Sequence, residues 1–239
     1  MKKGDESKQR ILETAERLFC QRGYEATSVQ DILDVLNSSK GSFYHHFPSK
    51  EAVLETLCSQ RAESAAEAAA NENTGCDNAM DGINNLIRAF LPLKESQLEF
   101  LAMLLPILEM PEGRSVRVCY QESLNQAFAP LLEEMIRKGV REERFCPAVK
   151  EGTSILLGDL LNQFWFILCS TIIRQVRDDE TLSAADIHAL LERYRQAAER
   201  LLDAPYGSLE ILRLEDLDRL ITRTVQRIKG YPVYTRMRT

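Results

Sequence analysis

Between Ser7 and Arg22 the apolar residues are Ile11, Leu12, Ala15, Leu18 and Phe19, the recurrence of a helix with one buried face. Gly23 follows as a residue that takes positive φ without steric cost, a common way for a helix to end. Val29, Ile32, Leu33 and Leu36 repeat the pattern, and Thr27 with Gln30 predicts a capping box at the start of this second helix. The polar triplet Asn37-Ser38-Ser39 then suits a tight turn with the asparagine in the left-handed region. A short helix from about Lys40 to Phe47 is stopped by Pro48. Ser49 is placed to cap a fourth, whose apolar positions begin at Val53, Leu54 and Leu57.

Beyond this point the elements lengthen. The fourth helix runs through an alanine-rich stretch to about Ala70, and Asn71 to Asp77 reads as a loop. Residues 78–146 read as two or three helices, broken near Lys94-Glu95-Ser96 and Pro111-Glu112-Gly113. Pro92, Pro106 and Pro130 are expected to kink or end helices locally. Tyr120 to Arg141 forms a long amphipathic helix with Leu124, Phe128, Leu131, Leu132, Met135 and Ile136 on its apolar side. Residues 148–177 are the most apolar stretch, so a helix there is expected to be covered on two sides. Ala184 to Leu202 follows with Ile187, Leu190, Leu191, Tyr194, Ala198 and Leu201. Ser208 is expected to cap an extra helix to about Lys229, with Leu214, Leu217, Ile221, Val225 and Ile228 along one seam. Its stripe of Arg219, Arg223 and Arg227, with Lys229, Arg236 and Arg238 after it, reads either as a solvated face or as a contact with an acidic partner. The expected architecture is all-α: a head over residues 1–50, a helical ligand-binding and dimerisation domain over 51–205, and an additional C-terminal helix with a basic tail over 206–239.

Composition agrees with that class. Of 239 residues, 44% are hydrophobic and 28% charged, with 11 glycines and 8 prolines, too few for a turn-rich β fold. The longest unbroken apolar runs, Phe100 to Leu108 and Phe164 to Cys169, fall short of the ~18 residues that span a bilayer, and no export signal opens the chain; no membrane partner is expected. The cysteines at 20, 58, 76, 119, 146 and 169 include no Cys-x-x-Cys pair, which points to reduced thiols in a cytoplasm rather than to disulfides or zinc. No phosphate loop, metal cluster or nucleophile–base spacing is visible, so neither a cofactor nor an enzyme activity is expected. The net charge is −6, yet residues 1–50 hold eight Lys/Arg against seven Asp/Glu. The acidity therefore lies outside the head.

Helix, turn and short helix in this order make a helix-turn-helix, whose second helix enters the major groove of DNA. In that short helix Lys40 and His45 can meet phosphate or base acceptors, and Ser42 can donate or accept. Gly41 lets a backbone come close, and Tyr44 offers a hydroxyl. Phe43 and Phe47 are expected to anchor it from within. Amides near Thr27 and Ser28 would form a phosphate seat. The run from Thr27 to Ile32, which includes Gln30, and then Ser39-Lys40-Gly41-Ser42-Phe43-Tyr44-His45-His46-Phe47-Pro48-Ser49-Lys50-Glu51, resembles the signature of the TetR (tetracycline-repressor-like) family. The match covers Ile11 to Leu57. The resemblance implies a three-helix DNA-binding head, an all-helical second domain, a homodimer reading a palindromic operator, and control by a small ligand. It places Thr27, Tyr44 and Lys50 on phosphates and Lys40, Gly41, Ser42 and His45 nearest the bases. Two positions depart from the family pattern: Asn37-Ser38 stands where Gly-Val is usual, and Leu33 and Leu36 where alanines are common.

Pocket candidates are the larger apolar and the buried polar side chains of the second domain: Phe90, Phe100, Met103, Asn125, Phe128, Gln163, Phe164 and Trp165. The resemblance implies that the last two helices of that domain pair with their copies, through Leu156, Leu160, Ile187, Leu191 and Tyr194. A double-stranded operator, a second copy and an unidentified, mostly apolar effector are the expected partners. Competing readings are an activator, a regulator controlled by a protein partner, a helical enzyme with a grafted head, and a DNA-free scaffold.

Overall fold

The computed structural model describes residues 3–91, 95–108, 110–149, 151–178 and 184–229, and no strand occurs among them. The head consists of α1 (Lys3–Arg22), α2 (Val29–Leu36) and α3 (Lys40–His46). All five expected core residues of α1 are buried, as are Ile32 and Leu33 of α2 and Phe43 of α3. Burying side chains of this size contributes roughly 1.5–3 kcal/mol each, which is what holds so short a helix as α3 in place. Gly23 ends α1 at φ +89°, and its N–H donates to the Phe19 carbonyl.

The capping box of α2 differs from the expected one. Ser28, not Thr27, is the N-cap, and it exchanges hydrogen bonds with Asp31 rather than Gln30. Asn37 closes the helix in the left-handed region at φ 48°, ψ 46°, as the turn requires. Ser38 is half-buried where an apolar plug was missing from the pattern, and Leu33 supplies buried volume beside it.

The body contains α4 (Lys50–Asn73), α5 (Ala79–Phe90), α6 (Glu95–Leu108), a 3₁₀ turn (Pro111–Gly113), α7 (Arg114–Arg141), α8 (Thr153–Asp178), α9 (Ala184–Leu202) and α10 (Leu214–Lys229). Helix α4 joins head to body: it touches α1 and packs along α5 and α7. It runs to Asn73, so the expected loop begins three residues later than the composition suggests. Pro106 and Pro130 lie inside α6 and α7 and end neither; Pro92 and Lys94 fall outside the described residues. Helix α8 is long and apolar enough over Thr153–Arg174 to cross a membrane by composition, although no unbroken apolar run reaches that length. Half of that segment is buried in the protein, against α7, α9, α6 and α10. None of the six cysteines forms a disulfide.

The C-terminal helix starts at Leu214, later than expected, because Ser208 does not cap it. The Ser208 hydroxyl donates to the Pro205 carbonyl, and the segment before α10 is stitched down as an extended strap. Leu209 N–H donates to Glu199 Oε1 at 3.1 Å and Glu210 N–H to Asn84 Oδ1 at 2.8 Å. Glu199, itself buried, is held by two Arg195 contacts of 2.7 and 2.8 Å. Helix α10 then covers α6 and α8 with Leu217, Leu220, Ile221 and Ile228 buried. Arg219 and Arg227 pair with Asp216 and Glu99. Arg236 and Arg238 fall outside the described residues.

Candidate nucleic-acid interface and ligand cleft

Helix α3 is seven residues long and is pinned from below. Phe43 and Phe47 are buried, their ring centroids 6.1 Å apart. Ser39 caps the helix by accepting from Ser42 N–H at 3.3 Å. What remains faces outward: Ser39, Lys40, Gly41, Tyr44 and His45 are exposed, Tyr44 by 54%, and Ser42 is half-buried. Tyr44 packs edge-on against Phe43 at 5.4 Å, so its ring is steadied while its hydroxyl is offered to solvent. A Cβ built on Gly41 would find nothing nearer than Ser39 Oγ at 3.9 Å. The protein itself does not require glycine there.

The residues expected to seat phosphate around the start of α2 divide. Ser28 and Gln30 are exposed, and Gln30 Nε2 donates to Asp34 at 2.7 Å. Thr27 is fully buried, and its hydroxyl donates to the Gly23 carbonyl at 2.9 Å. The Thr27 and Ser28 amides are also occupied, by the Tyr24 carbonyl and the Asp31 carboxylate. The expected seat at these two amides is therefore corrected: they are spent inside the turn. Those bonds from Ser28 hold the Asp31 carboxyl below its ordinary pKa. Lys50 reaches back to donate to the Tyr24 and Thr27 carbonyls at 2.8 and 3.0 Å, and lies 3.9 Å over the Tyr24 ring. Burial lowers its pKa. Two of its three donors thus brace the turn that carries α2.

A cleft of about 550 Å³ lies between α1 of the head and α4, α5 and α6 of the body, lined in part by Glu16, Arg61, Ala65, Arg88 and Gln97. An inner pocket of about 20 Å³ adjoins it and shares Arg61, Ala65, Ala89 and Gln97 with it. Its remaining walls are Phe90, Phe100, Leu101, Leu104, Tyr120 and Leu124. Of the expected pocket residues, Phe90 and Phe100 line this space. Phe128 lies behind Phe90, at 5.1 Å between rings, and Phe164 packs on Tyr194 at 5.5 Å. Met103 and Trp165 are buried without lining either space. Gln163 is exposed, and Asn125 is turned toward α8, donating to Asp159 and accepting from Asn162. Sequence reasoning missed Arg61, Tyr120 and Gln97. The available signal was the run of small residues on α4, Ser64, Ala65, Ala68 and Ala69, which cannot fill the space beside them.

The expected dimer residues also divide. Leu156 is 48% exposed, with Ile155 beside it at 53%. Leu160 and Tyr194 are half-buried. Ile187 and Leu191 are already buried within one chain.

Residues 11–57 match the family model described as bacterial regulatory proteins, tetR family. The HTH-type transcriptional regulators YerO and YuxN of Bacillus subtilis are 48% and 32% identical over 54 and 114 residues, or 23% and 48% of this chain. Those matches span only 19% and 39% of the two relatives' own length. The HTH-type transcriptional repressor AcnR of Corynebacterium efficiens is 30% identical over 137 residues, 56% of this chain and 68% of the relative. A TetR-family transcriptional regulator from Pectobacterium atrosepticum superposes with a TM-score of 0.56 at 18% identity, over 84% of this chain and 97% of that one. GusR of Salmonella enterica gives 0.52 at 18%, over 83% and 96%; both show the same fold. With the motif, the head geometry and the AcnR match in agreement, the chain belongs to the TetR family of bacterial transcriptional regulators.

Proposed function

We propose that this protein is a cytoplasmic homodimeric repressor, released from a palindromic operator by a small, mostly apolar ligand. The observation that carries the reading is α3: a helix anchored by Phe43 and Phe47 that turns Lys40, Gly41, Ser42, Tyr44 and His45 outward together. In a symmetric pair two such helices would lie about 34–36 Å apart to reach successive major grooves. Lys40, Ser42 and His45 meet base edges or phosphates, and Tyr44, Ser28, Gln30 and Ser39 meet the backbone. Thr27 and Lys50 act from behind, holding the turn that aims α2. The apolar face of α8 at Ile155 and Leu156 supplies the subunit contact, and the cleft beside Arg61 receives the ligand. Repression itself is supported by the AcnR relative, a transcriptional repressor.

Fluorescence anisotropy on a palindromic duplex taken from beside the gene tests this. Lys40→Ala and Tyr44→Phe should each weaken binding by about tenfold or more. Lys40→Ala should also lower the salt slope by about one, while the uncharged Tyr44 leaves it alone. Affinities unchanged in both variants would remove α3 from the interface.

A further inference from the structure

We propose that the effector is an amphipathic anion whose acidic head displaces Glu16 from Arg61 and whose apolar tail enters the inner pocket. The inference rests on the ligand-responsive reading above and adds the ligand's chemistry and its route to the head. Among the described residues, Arg61 is the one charged side chain that lines both the cleft and the inner pocket. Its guanidinium lies 4.3 Å from the Phe100 ring centroid, so it forms the charged rim of a wall that is aromatic and aliphatic apart from Gln97. Two of its nitrogens, Nε at 2.9 Å among them, converge on a single oxygen of Glu16. A guanidinium fork is better matched by both oxygens of a carboxylate side by side. The present geometry is therefore one that an incoming acid can improve on.

Charge balance sets the order of events. The cleft also carries Arg88, Glu16 and Glu72; Arg88 is held by Glu210 at 3.0 Å and by Asn85. An added anion beside these two carboxylates is favourable only where it replaces one of them at its cation, and Glu16 is a carboxylate that Arg61 holds. A cationic ligand would have to lift Arg61 off Phe100 and then enter a pocket with no acid among its described lining residues. Tail insertion needs movement as well, since about 20 Å³ holds roughly one water. The wall that must yield is α6, which carries Phe100, Leu101 and Leu104 and touches α1. Glu16 belongs to α1, so the exchange at Arg61 cuts a tie between head and body at the moment the α6 wall shifts. The ligand thereby gains its differential affinity for the DNA-free arrangement, the only quantity that can drive release.

The test uses the full chain and three ten-carbon probes, decanoate, 1-decanol and decyltrimethylammonium, each titrated below its micelle concentration by calorimetry. Decanoate should bind at least about tenfold tighter than decanol, the worth of charge-assisted bonds to Arg61. Arg61→Gln should erase that preference by weakening decanoate far more than decanol. Glu16→Gln, which keeps Arg61, should strengthen decanoate by about two- to fivefold, as expected for removal of a part-exposed competing ion pair. Decanol equal to decanoate, or the ammonium best of the three, overturns the anion and leaves the ligand-responsive reading standing. No binding by any probe, with operator affinity intact, overturns both.

Discussion

The head and the body use the same helical material in opposite ways. In the head the aromatic rings of Phe19, Phe43 and Phe47 are sealed inside, and the side chains suited to a partner stand on the outer face of α3. In the body the polar chemistry points inward. The three buried side-chain atoms without a hydrogen bond among the described residues, Asn162 Oδ1, Trp165 Nε1 and Thr224 Oγ1, all belong to it, and Arg61 sits at the mouth of an apolar pocket. A surface reader needs a rigid, fully satisfied platform, because its partner arrives preformed. A ligand receiver needs an interior that can be rearranged at modest cost, and leaving polar atoms unmatched inside is one way to keep it so.

The largest effect that can test this division comes from emptying the head's core. Phe43→Ala should cost about 3–5 kcal/mol, enough to unfold α3 and abolish operator binding. Trp165 is the single tryptophan of the chain and lies buried in α8, so its fluorescence reports the body. The division predicts an early loss of helix by circular dichroism with the Trp165 transition in place. A Trp165 midpoint that falls by the same amount would show one cooperative unit and end the contrast.

The converse experiment cuts the body. Glu199 fastens the strap before α10 through Leu209 N–H and is itself held by Arg195, with side chains only 4% and 11% exposed. Glu199→Ala leaves a nearly buried guanidinium without that partner and should cost about 2–3 kcal/mol. Here the Trp165 transition should move, and operator affinity of the folded fraction should not. Retained Trp165 stability would mean that the strap contributes little to the body.

The same contrast explains what could be read from the chain. In the head, structure is set by neighbours in sequence: periodicity places the helices, Gly23 and Asn37 end two of them, and a contiguous motif marks the reader. Even its errors are local. Thr27-x-x-Gln30 and Ser28-x-x-Asp31 have the same spacing, and the second pair won because the Thr27 hydroxyl is satisfied inward by the Gly23 carbonyl. In the body, Phe90 and Phe128 are chemically alike, and only the way α4, α5, α6 and α7 come together makes one a wall and the other backing. Arg61 had the pattern of a solvated helix residue until α1 and α6 closed on either side of it. Pro106 and Pro130, expected to kink or end their helices, end neither, because packing of the surrounding turns outweighs one missing hydrogen bond each.

The smallest change in stability makes the sharpest separation, because its sign differs from that of its effect on function. Gly41 is the second residue of α3, in helical conformation, with open space where a side chain would go. Glycine in a helix is worse than alanine by about 0.5–1 kcal/mol, and nothing within the head offsets that loss. Gly41→Ala should therefore raise the melting point of the head slightly. If the outer face of α3 is the part that nears DNA, the added methyl stands between helix and duplex and weakens operator binding by about tenfold, a misfit of roughly 1.4 kcal/mol. A gain in stability with unchanged affinity would place Gly41 away from the duplex, and with it the outward side of α3. A stabler head that binds worse is the signature of a residue kept for its partner rather than for its own fold.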